Sequence, residues 1–327
     1  MLFSGGGRAG PALVRWVGVR ENCGFKLEPE MGTMEKVKKF EIICLGDCMK
    51  KGLVMEGGAM RGMFTCGVID VLMENGIEFD SAVGVSAGAT FGLNYKSKQI
   101  GRPLRYNKKY CNDKRYCSLS SLVRTGDIYN VEFCYHTLVD ELDKWDLDTF
   151  YSNPMEFYCV ATDINSGEAV YHKCDGHDDL EWIRASASMP VVSRPVEIDG
   201  GLYLDGGMSD SIPLEFMQGL GCEKILVIET QPSDYVKGPQ KYMWAIKLKL
   251  GKFKKMVETM ESRHEMYNAE KQYIREQEMA GDVFVIRPNA PLNIGATEKN
   301  PNELQRVYDL GREAALKKLE ALKKYLQ

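Results

Sequence analysis

Short apolar segments alternate with helix-like segments from Lys51 to the end of the chain, and this alternation constrains the fold more than any other feature. Apolar strands are predicted at 52–55, 79–85, 156–164, 224–230 and 282–288. Apolar residues at helical spacing follow the first strand, and a long helical region separates the last two. Buried strands that alternate with helices form parallel sheets covered on both faces. The pattern therefore predicts an α/β fold with a mostly parallel central sheet.

The 327 residues are enough for one large α/β domain or for two smaller ones. Residues 1–35 show no sustained period and contain a glycine cluster, so we expect a disordered N-terminal extension there. We expect the main domain to span residues 50–290, with a polar insertion or cap at about 96–150. A C-terminal helical segment, 291–327, is expected to pack on that domain.

Composition excludes several classes of function. The formal net charge is -4, so no basic field favours nucleic acid. The ten cysteines are scattered, with no C-x-x-C pair and no Cys/His cluster at zinc-ligand spacing, which favours reduced thiols in a cytoplasmic protein and no metal site. No apolar run reaches the length of a membrane span.

The segment "GVSAG", residues 84–88, raises the question of a nucleophile. The pattern G-x-S-x-G is typical of a sharp strand-to-helix turn that lifts a serine hydroxyl out of an α/β sheet. Gly84 and Gly88 would flank Ser86 because that turn leaves no room for Cβ atoms beside it. Alone the motif is weak, since a glycine-rich chain of this length can contain it by chance. Its meaning depends on other parts of a site.

A second turn, "EGGAMRG", joins the first strand to its helix. It contains Gly57, Gly58, Ala59, Met60, Arg61 and Gly62. Such a turn directs successive N–H groups into one small volume at the positive end of a helix, where they can hold a phosphate or an oxyanion. The spacing also fits a relaxed nucleotide-binding G-x-A-x-x-G, with Asp80 placed for a ribose contact. On this segment alone the two interpretations are equally good.

The third feature is Asp205, which ends an apolar strand and is followed by Gly206 and Gly207. Its carboxylate can project while the backbone turns away, although Asp-Gly is also an ordinary turn pair. The competing carboxylates Asp163, Asp199 and Asp210 lack the combination of a strand end and two glycines. Since carboxyl ends of neighbouring strands meet along one edge of a sheet, these motifs can face one cleft.

A histidine base is missing from the pattern. The chain has four histidines: His136, His172, His177 and His264. In α/β-hydrolases the histidine follows the acid, and here only His264 follows Asp205, within a charged helical segment. We expect none of the four to be the base. A carboxylate within hydrogen-bond reach of the serine oxygen can take the proton directly.

At these residues the sequence resembles the patatin-like phospholipases, in particular their bacterial cytoplasmic members. Three blocks match in order, "GGAMRG", "GVSAG" and "DGG", and "RASASMPVVSRPV" resembles the family's segment ahead of the acid. The match covers roughly residues 51–230. The ordered set is far more specific than any one motif.

The resemblance implies a three-layer α/β/α sandwich and a Ser–Asp dyad. It assigns the nucleophile to Ser86, the acid/base to Asp205 and the oxyanion donors to the N–H groups of Gly58 and Ala59. Arg61 would hold the loop or meet an anionic head group. Ala59 stands where many members have a third glycine, so the loop must tolerate a methyl group. The implied acyl transfer needs no metal and no organic cofactor.

The predicted function is therefore a serine acyl hydrolase that cleaves fatty-acyl esters of lipids or phospholipids. One alternative is a non-enzymatic nucleotide-binding protein. A second alternative keeps the dyad and transfers the acyl group to another alcohol, since water and alcohol acceptors use the same site.

A lipid substrate leads us to look for a surface that contacts a membrane. The segment 242–260 combines Trp244, Leu248 and Phe253 with a run of lysines, which suits an anionic bilayer surface. A helix with one face on the core and its lysines in water explains the same pattern. The expected location is cytoplasmic, with peripheral contact at the inner membrane surface.

Overall fold

The computed structural model describes residues 16–21, 24–29 and 49–327. Strands β1 (Trp16–Glu21) and β2 (Gly24–Pro29) pair antiparallel within a unit that covers Met1–Cys48. Met49–Gln327 is a second compact unit. The extension predicted over residues 1–35 falls largely outside the described residues and stays a prediction.

The second unit contains an eight-stranded sheet. Its strands are β3 (Lys51–Met55), β4 (Ser81–Val85), β5 (Glu156–Asp163), β6 (Ala169–Lys173), β7 (Val196–Ile198), β8 (Gly201–Asp205), β9 (Lys224–Ile228) and β10 (Val283–Ile286). The strands β10, β9, β3, β4 and β5 lie side by side in that order and are parallel. The strands β6 and β8 pair antiparallel with β5, and β7 pairs antiparallel with β8. The predicted α/β class with a mostly parallel sheet is confirmed.

Helices connect these strands and flank the sheet. The α-helices are α1 (Gly62–Glu74), α2 (Ala87–Lys96), α3 (Arg102–Tyr110), α4 (Leu119–Thr125), α5 (Leu147–Ser152), α6 (Leu180–Ser186), α7 (Leu214–Gly219), α8 (Met243–Leu250), α9 (Lys254–Ala280) and α10 (Pro301–Tyr325). A π-helix spans Phe133–Leu142, and 3₁₀ turns span Ala59–Arg61, His177–Asp179 and Gly206–Met208.

Alternation along β3 explains why helices cover both faces of the sheet. Leu53 and Met55 pack in one apolar cluster with residues of α1, α2 and α10, whereas Val54 packs in another with residues of α7 and α9. Successive strand residues point to opposite faces, so a strand with consecutive apolar residues, here 53–55, must be covered on both faces. Burying each such side chain contributes roughly 1.5–3 kcal/mol.

The register of β5 brings two strand ends together. One edge of β5 pairs with β6, and the other pairs with both β4 and β8. Val85, the last residue of β4, is level with Val160, and Asp205, the last residue of β8, is level with Ala161. Because β4 runs parallel and β8 antiparallel to β5, their carboxyl ends point at each other along that edge.

Two helical segments are shorter than their sequence pattern. Helix α6 ends at Ser186, four residues before Pro190. The lysine-rich segment 242–260 contains two helices: α8 ends at Leu250, and α9 begins at Lys254. The insertion at about 96–150 contains α3, α4, the π-helix and α5.

Candidate active site

Ser86 lies at the strained turn between β4 and α2. Its backbone has φ 54° and ψ −118°, outside the usual regions for a residue with a side chain. A Cβ atom at Gly84 would lie 2.4 Å from the Gly88 carbonyl oxygen, and one at Gly88 would lie 2.3 Å from that of Met55. Both positions therefore require glycine for the turn to pack against its neighbours. Strain of this kind is typical of functional turns.

Ser86 and Asp205 are hydrogen-bonded. The Ser86 hydroxyl donates to Asp205 Oδ2 at 2.7 Å, and the Gly207 N–H donates to Asp205 Oδ1 at 2.8 Å. The 3₁₀ turn that begins at Gly206 directs this N–H back at the carboxylate. The side chains are nearly enclosed, since Ser86 is 8% exposed and Asp205 3%. The structure thus brings the two predicted residues together.

The protein environment raises the pKa of Asp205. Burial is the largest cause, because removing a carboxylate from water disfavours its charge. The Ser86 hydroxyl, the positive charge of Arg263 and the Gly207 N–H act in the opposite direction. A carboxylate with a raised pKa is a better proton acceptor than an ordinary aspartate.

Two residues that the sequence did not single out support this pair, one by direct contact and one through Gly207. The buried Ser186 hydroxyl accepts a hydrogen bond from the Ser86 N–H at 2.9 Å. Arg263 on α9 donates from Nε to the Gly207 carbonyl. Ser186 lies in the segment that resembles the family's block ahead of the acid, which is the one signal that could have found it. Arg263 lies in a charged helix with no motif.

The glycine-rich turn lies beside Ser86. A Cβ atom at Gly57 would be 3.1 Å from Ser86 Cβ, and Ala59 shares the cavity lining with Ser86. Within residues 49–327 the N–H groups of Gly58 and Ala59 have no acceptor. Ala59 has φ 48°, a left-handed backbone that strains its methyl group.

The rest of the loop is held in place. Arg61 Nε donates to Thr230 Oγ1 at 3.4 Å, and Gly62 begins α1. With the loop fixed in this way, the unpaired N–H groups of Gly58 and Ala59 can bind a ligand or a developing oxyanion.

Asp80 does not lie at the same end of the sheet as the glycine-rich turn. Its Oδ2 accepts a hydrogen bond from the Lys51 N–H at 2.7 Å, at the amino ends of β3 and β4. The turn lies at the carboxyl end of β3, so the strand separates the two. The nucleotide-binding alternative thereby loses its ribose contact.

The four histidines lie elsewhere. His172 Nε2 lies 2.6 Å from Asp179 Oδ1, and His177 Nε2 lies 3.0 Å from Asp140 Oδ1. His136 is exposed on the π-helix, and His264 lies on α9. Among the hydrogen bonds within residues 49–327, none joins a histidine to Ser86 or Asp205. The carboxylate is the basic group in contact with the serine hydroxyl.

An apolar cavity of about 120 Å³ opens beside Ser86. The cap supplies much of its lining, notably Tyr106 of α3 and Leu138 of the π-helix, and Met60 and Phe91 line it as well. π-Helical turns are rare, and they are frequent at functional sites. Within residues 49–327 no three His, Cys, Asp or Glu side chains converge as they do around a metal ion.

Comparison with known proteins identifies the family. The model of the family described as "Patatin-like phospholipase" matches residues 53–217, about half of the chain. The chain belongs to the patatin-like phospholipases. This confirms the family predicted from the sequence, and with it the class of lipid acyl hydrolase. A second model, "Domain of unknown function (DUF6363)", matches residues 253–327, which include Arg263.

Relatives differ in how much of their own length this chain covers. The uncharacterized protein YjjU of Escherichia coli is 28% identical over 80% of this chain and 74% of its own length. Lysophospholipase nte1 of Aspergillus niger is 30% identical over 56% of this chain, but only 12% of nte1 is covered. A putative patatin-like phospholipase domain-containing protein of Caenorhabditis elegans, M110.7, is 26% identical over 56% of this chain and 17% of its length.

A search of solved structures matched VipD from Legionella pneumophila at a TM-score of 0.43 and 13% identity. The match covers 84% of this chain and 67% of VipD. In the part of the chain that the structure describes, no helix has the length and apolarity needed to cross a bilayer.

Proposed function

We propose that this protein hydrolyses fatty-acyl esters of lipids or phospholipids through a Ser86–Asp205 dyad and an oxyanion site at the Gly57–Gly62 turn. The observation that carries the proposal is the 2.7 Å hydrogen bond from the Ser86 hydroxyl to a buried carboxylate. A hydroxyl in that position can lose its proton directly to the carboxylate as it attacks. Membership of the family supports the same reaction class.

The first half-reaction forms an acyl-enzyme. Ser86 Oγ attacks the ester carbonyl carbon while its proton passes to Asp205 Oδ2. The N–H groups of Gly58 and Ala59 stabilise the oxyanion, a contribution that commonly amounts to about 3–4 kcal/mol per donor. When the tetrahedral intermediate collapses, the C–O bond to the alcohol breaks and Asp205 returns the proton to that alcohol.

The second half-reaction releases the acid. Water attacks the Ser86 ester, and Asp205 accepts a proton from that water. The intermediate then breaks its bond to Ser86 Oγ, which takes the proton back from Asp205. The free fatty acid leaves and the dyad returns to its starting state, so acid and base roles balance over one turnover.

The cavity beside Ser86 suits the acyl chain. Its lining is mostly apolar, so it would take up hydrocarbon in preference to a head group. Its volume of about 120 Å³ is close to that of engineered cavities that hold benzene, roughly 150 Å³. We therefore expect short acyl chains to fit without rearrangement of the cap and long chains to require it to move.

Labelling with a fluorophosphonate probe tests the proposal. The activated serine oxygen displaces fluoride from phosphorus and retains the phosphonyl group, and peptide mapping then reports its position. We expect one label, on Ser86, and no label on Ser86→Ala. Ser152→Ala, which removes an exposed hydroxyl, is the matched control and should label normally. Absence of labelling, or a label on another serine, would remove the proposal.

We also propose that the rim of the cavity docks on an anionic bilayer. Trp244 and Leu248, one turn apart on α8, are 71% and 83% exposed. Lys249 of α8 donates from Nζ to the carbonyls of Val191 and Ser193, and Ser193 lines the cavity. Two large apolar side chains among lysines suit an interfacial helix on anionic lipid.

The segment that follows helix α4 also bonds to this loop. Just after α4, the Ile128 N–H donates to the Val192 carbonyl at 2.9 Å. Leu119 and Val123 on α4 are also exposed. Exposed apolar residues thus occur on both helices that connect to the loop 189–194, which would let a lipid pass from the bilayer towards Ser86. The cytoplasmic location stays a prediction.

A further inference from the structure

Cationic side chains from separate elements lie around Tyr267 of α9. Arg263 precedes Tyr267 by four residues, which places the two on one face of the helix with Cβ atoms about 5–6 Å apart. Lys237, in the loop after β9, has its Nζ 4.4 Å from the centre of the Tyr267 ring. A pair of hydrogen bonds between the Lys237 backbone and the Asn268 side chain fixes that loop on α9.

Arg61 reaches the same tyrosine through two buried groups. Its Nε donates to Thr230 Oγ1, and the Thr230 N–H donates to Glu56 Oε2. The other oxygen of Glu56 accepts from the Tyr267 hydroxyl at 2.7 Å. Arg61, Lys237 and Arg263 therefore lie around one buried side chain, although each comes from a different part of the chain.

None of these three half-buried cations has a carboxylate within 4 Å among residues 49–327. Lys271 and Arg287, by contrast, both pair with Glu229. An unpaired charge that leaves water is costly, so such pairing is the usual arrangement for a buried cation in proteins.

Three acids lie near the cations, Asp205, Glu56 and Glu270, and they attract the cations without forming an ion pair with them. Glu56 is engaged by the neutral donors Thr230 and Tyr267. Burial and the neighbouring Asp210 raise the pKa of Glu270 well above its usual range, which favours its neutral form. Burial, followed by the charges of Arg263 and Arg61, lowers the pKa of Lys237 to about 8. Burial and the charge of Arg61 also lower the pKa of Arg263, although Asp205 and Glu270 act in the opposite direction. An anion bound among the three cations would relieve their mutual repulsion.

We propose that Arg61, Lys237 and Arg263 form a subsite for one phosphate group, beside the Ser86–Asp205 pair. The inference rests on the proposed function and specifies its substrate as a phosphate-bearing ester. Arginine and lysine are the side chains that best bind phosphate oxygens, and this group contains two arginines and one lysine. Because α9 supplies Arg263, the region matched as a domain of unknown function contributes to the site.

The position of the subsite fits an ester that is held from two sides. Arg263 bonds the Gly207 carbonyl, and Gly207 in turn bonds Asp205. Arg61 lies within the glycine-rich turn. None of the three cations lines the apolar cavity. An acyl chain under the cap and a phosphate beside Arg263 would therefore leave the ester carbonyl between them, at Ser86.

The test compares two esters that differ only in the phosphate, 1-butyrylglycerol 3-phosphate and 1-butyrylglycerol. Butyrate release gives kcat/KM for each substrate with the wild-type protein, Lys237→Met and Lys317→Met. We expect the wild type to prefer the phosphate ester by about tenfold or more, the effect of one charged hydrogen bond. Lys237→Met should lower that ratio about tenfold, and the exposed Lys317→Met should not change it.

A second arm measures binding without turnover, by calorimetric titration of inorganic phosphate onto the Ser86→Ala protein with and without Lys237→Met. Weaker binding in the double variant supports the subsite even if neither ester is hydrolysed, a result that would remove only the proposed function. Phosphate binding through Lys237 with equal kcat/KM for the two esters would assign the subsite to free phosphate and remove the head-group assignment. An unchanged ratio in Lys237→Met, together with unchanged phosphate binding, would overturn the subsite.

Discussion

The Ser86 hydroxyl lies 2.7 Å from Asp205 Oδ2, although 119 residues separate the two along the chain. The strand β5 accounts for this contact. It pairs with β4 over one half of its edge and with β8 over the other, so the ends of those strands meet between Val160 and Ala161. The dyad geometry therefore depends on sheet register, and a one-residue slip of β8 would turn the Asp205 side chain to the other face.

The pH dependence of hydrolysis should follow the ionisation of Asp205. Asp205 must be ionised to accept the serine proton, and burial raises its pKa. Activity should therefore be present above that raised pKa and fall as the pH decreases through it. The acidic limb of kcat/KM is expected at a higher pH than the titration of an ordinary aspartate, near 3.9. A pH–rate profile with a neutral p-nitrophenyl ester measures it.

Arg263→Met provides the matched variant for that profile. The positive charge of Arg263 favours the ionised carboxylate, so its removal should shift the acidic limb to higher pH. Arg275→Met, on the same helix, removes a charge that does not act on Asp205 and should leave the limb in place. An acidic limb that stays at the same pH in Arg263→Met would argue against electrostatic coupling between Arg263 and Asp205.

Gly88→Ala should destabilise the protein. The added Cβ would lie 2.3 Å from the Met55 carbonyl oxygen and 2.9 Å from that of Glu56, so the backbone must shift. Overpacking of this kind costs about 1–3 kcal/mol. Gly219→Ala, where no atom lies within 4 Å, should change stability by less than about 1 kcal/mol. Urea denaturation of the two variants gives the comparison, and equal midpoints would contradict the close packing at the turn.

Leu138→Ala should extend the preferred acyl chain. Leu138 is buried and lines the cavity from the π-helix. Its truncation adds room for roughly three carbon atoms and costs about 2–5 kcal/mol of stability. The measurement is kcat/KM across p-nitrophenyl esters of increasing chain length. Leu322→Ala, equally buried on α10, should lose similar stability with no change in the preferred chain. The same optimum in all three proteins would exclude the cavity as the acyl site.

Trp244→Ala combined with Leu248→Ala should reduce binding to anionic vesicles. Flotation with vesicles that contain phosphatidylserine should recover the wild-type protein, and the double variant about tenfold less well, since two large apolar side chains no longer enter the interface. Leu316→Ala, an exposed apolar residue on α10, is the control and should float normally. Equal recovery of all three proteins would exclude α8 as the docking surface.

Several features were predictable from the sequence because they depend on local pattern. Gly84 and Gly88 mark a turn that only glycine allows, and Ser86 lies between them. Asp205 at the end of an apolar strand, followed by two glycines, marks a second turn. The alternation of strands and helices then predicts that such turns share one edge of a parallel sheet.

The residues that the sequence missed depend on long-range packing. Arg263 and Lys237 belong to no motif, and their positions near the site depend on how α9 packs beside the ends of β3 and β8. Ser186 is one of several serines in its segment, and only the fold shows which hydroxyl meets the Ser86 N–H. The ribose contact assigned to Asp80 failed for the same reason, because spacing along the chain does not tell at which end of a strand a residue lies.

Steady-state hydrolysis of a p-nitrophenyl ester by Ser86→Ala and Asp205→Asn tests the central claim most directly. Ser86→Ala should have no detectable activity. Asp205→Asn keeps the shape and loses the base, so kcat should fall by about 10²–10⁴-fold. His172→Gln, which alters a histidine outside the site, should retain activity. Full activity in Asp205→Asn, or loss of activity in His172→Gln, would contradict a serine activated directly by a carboxylate.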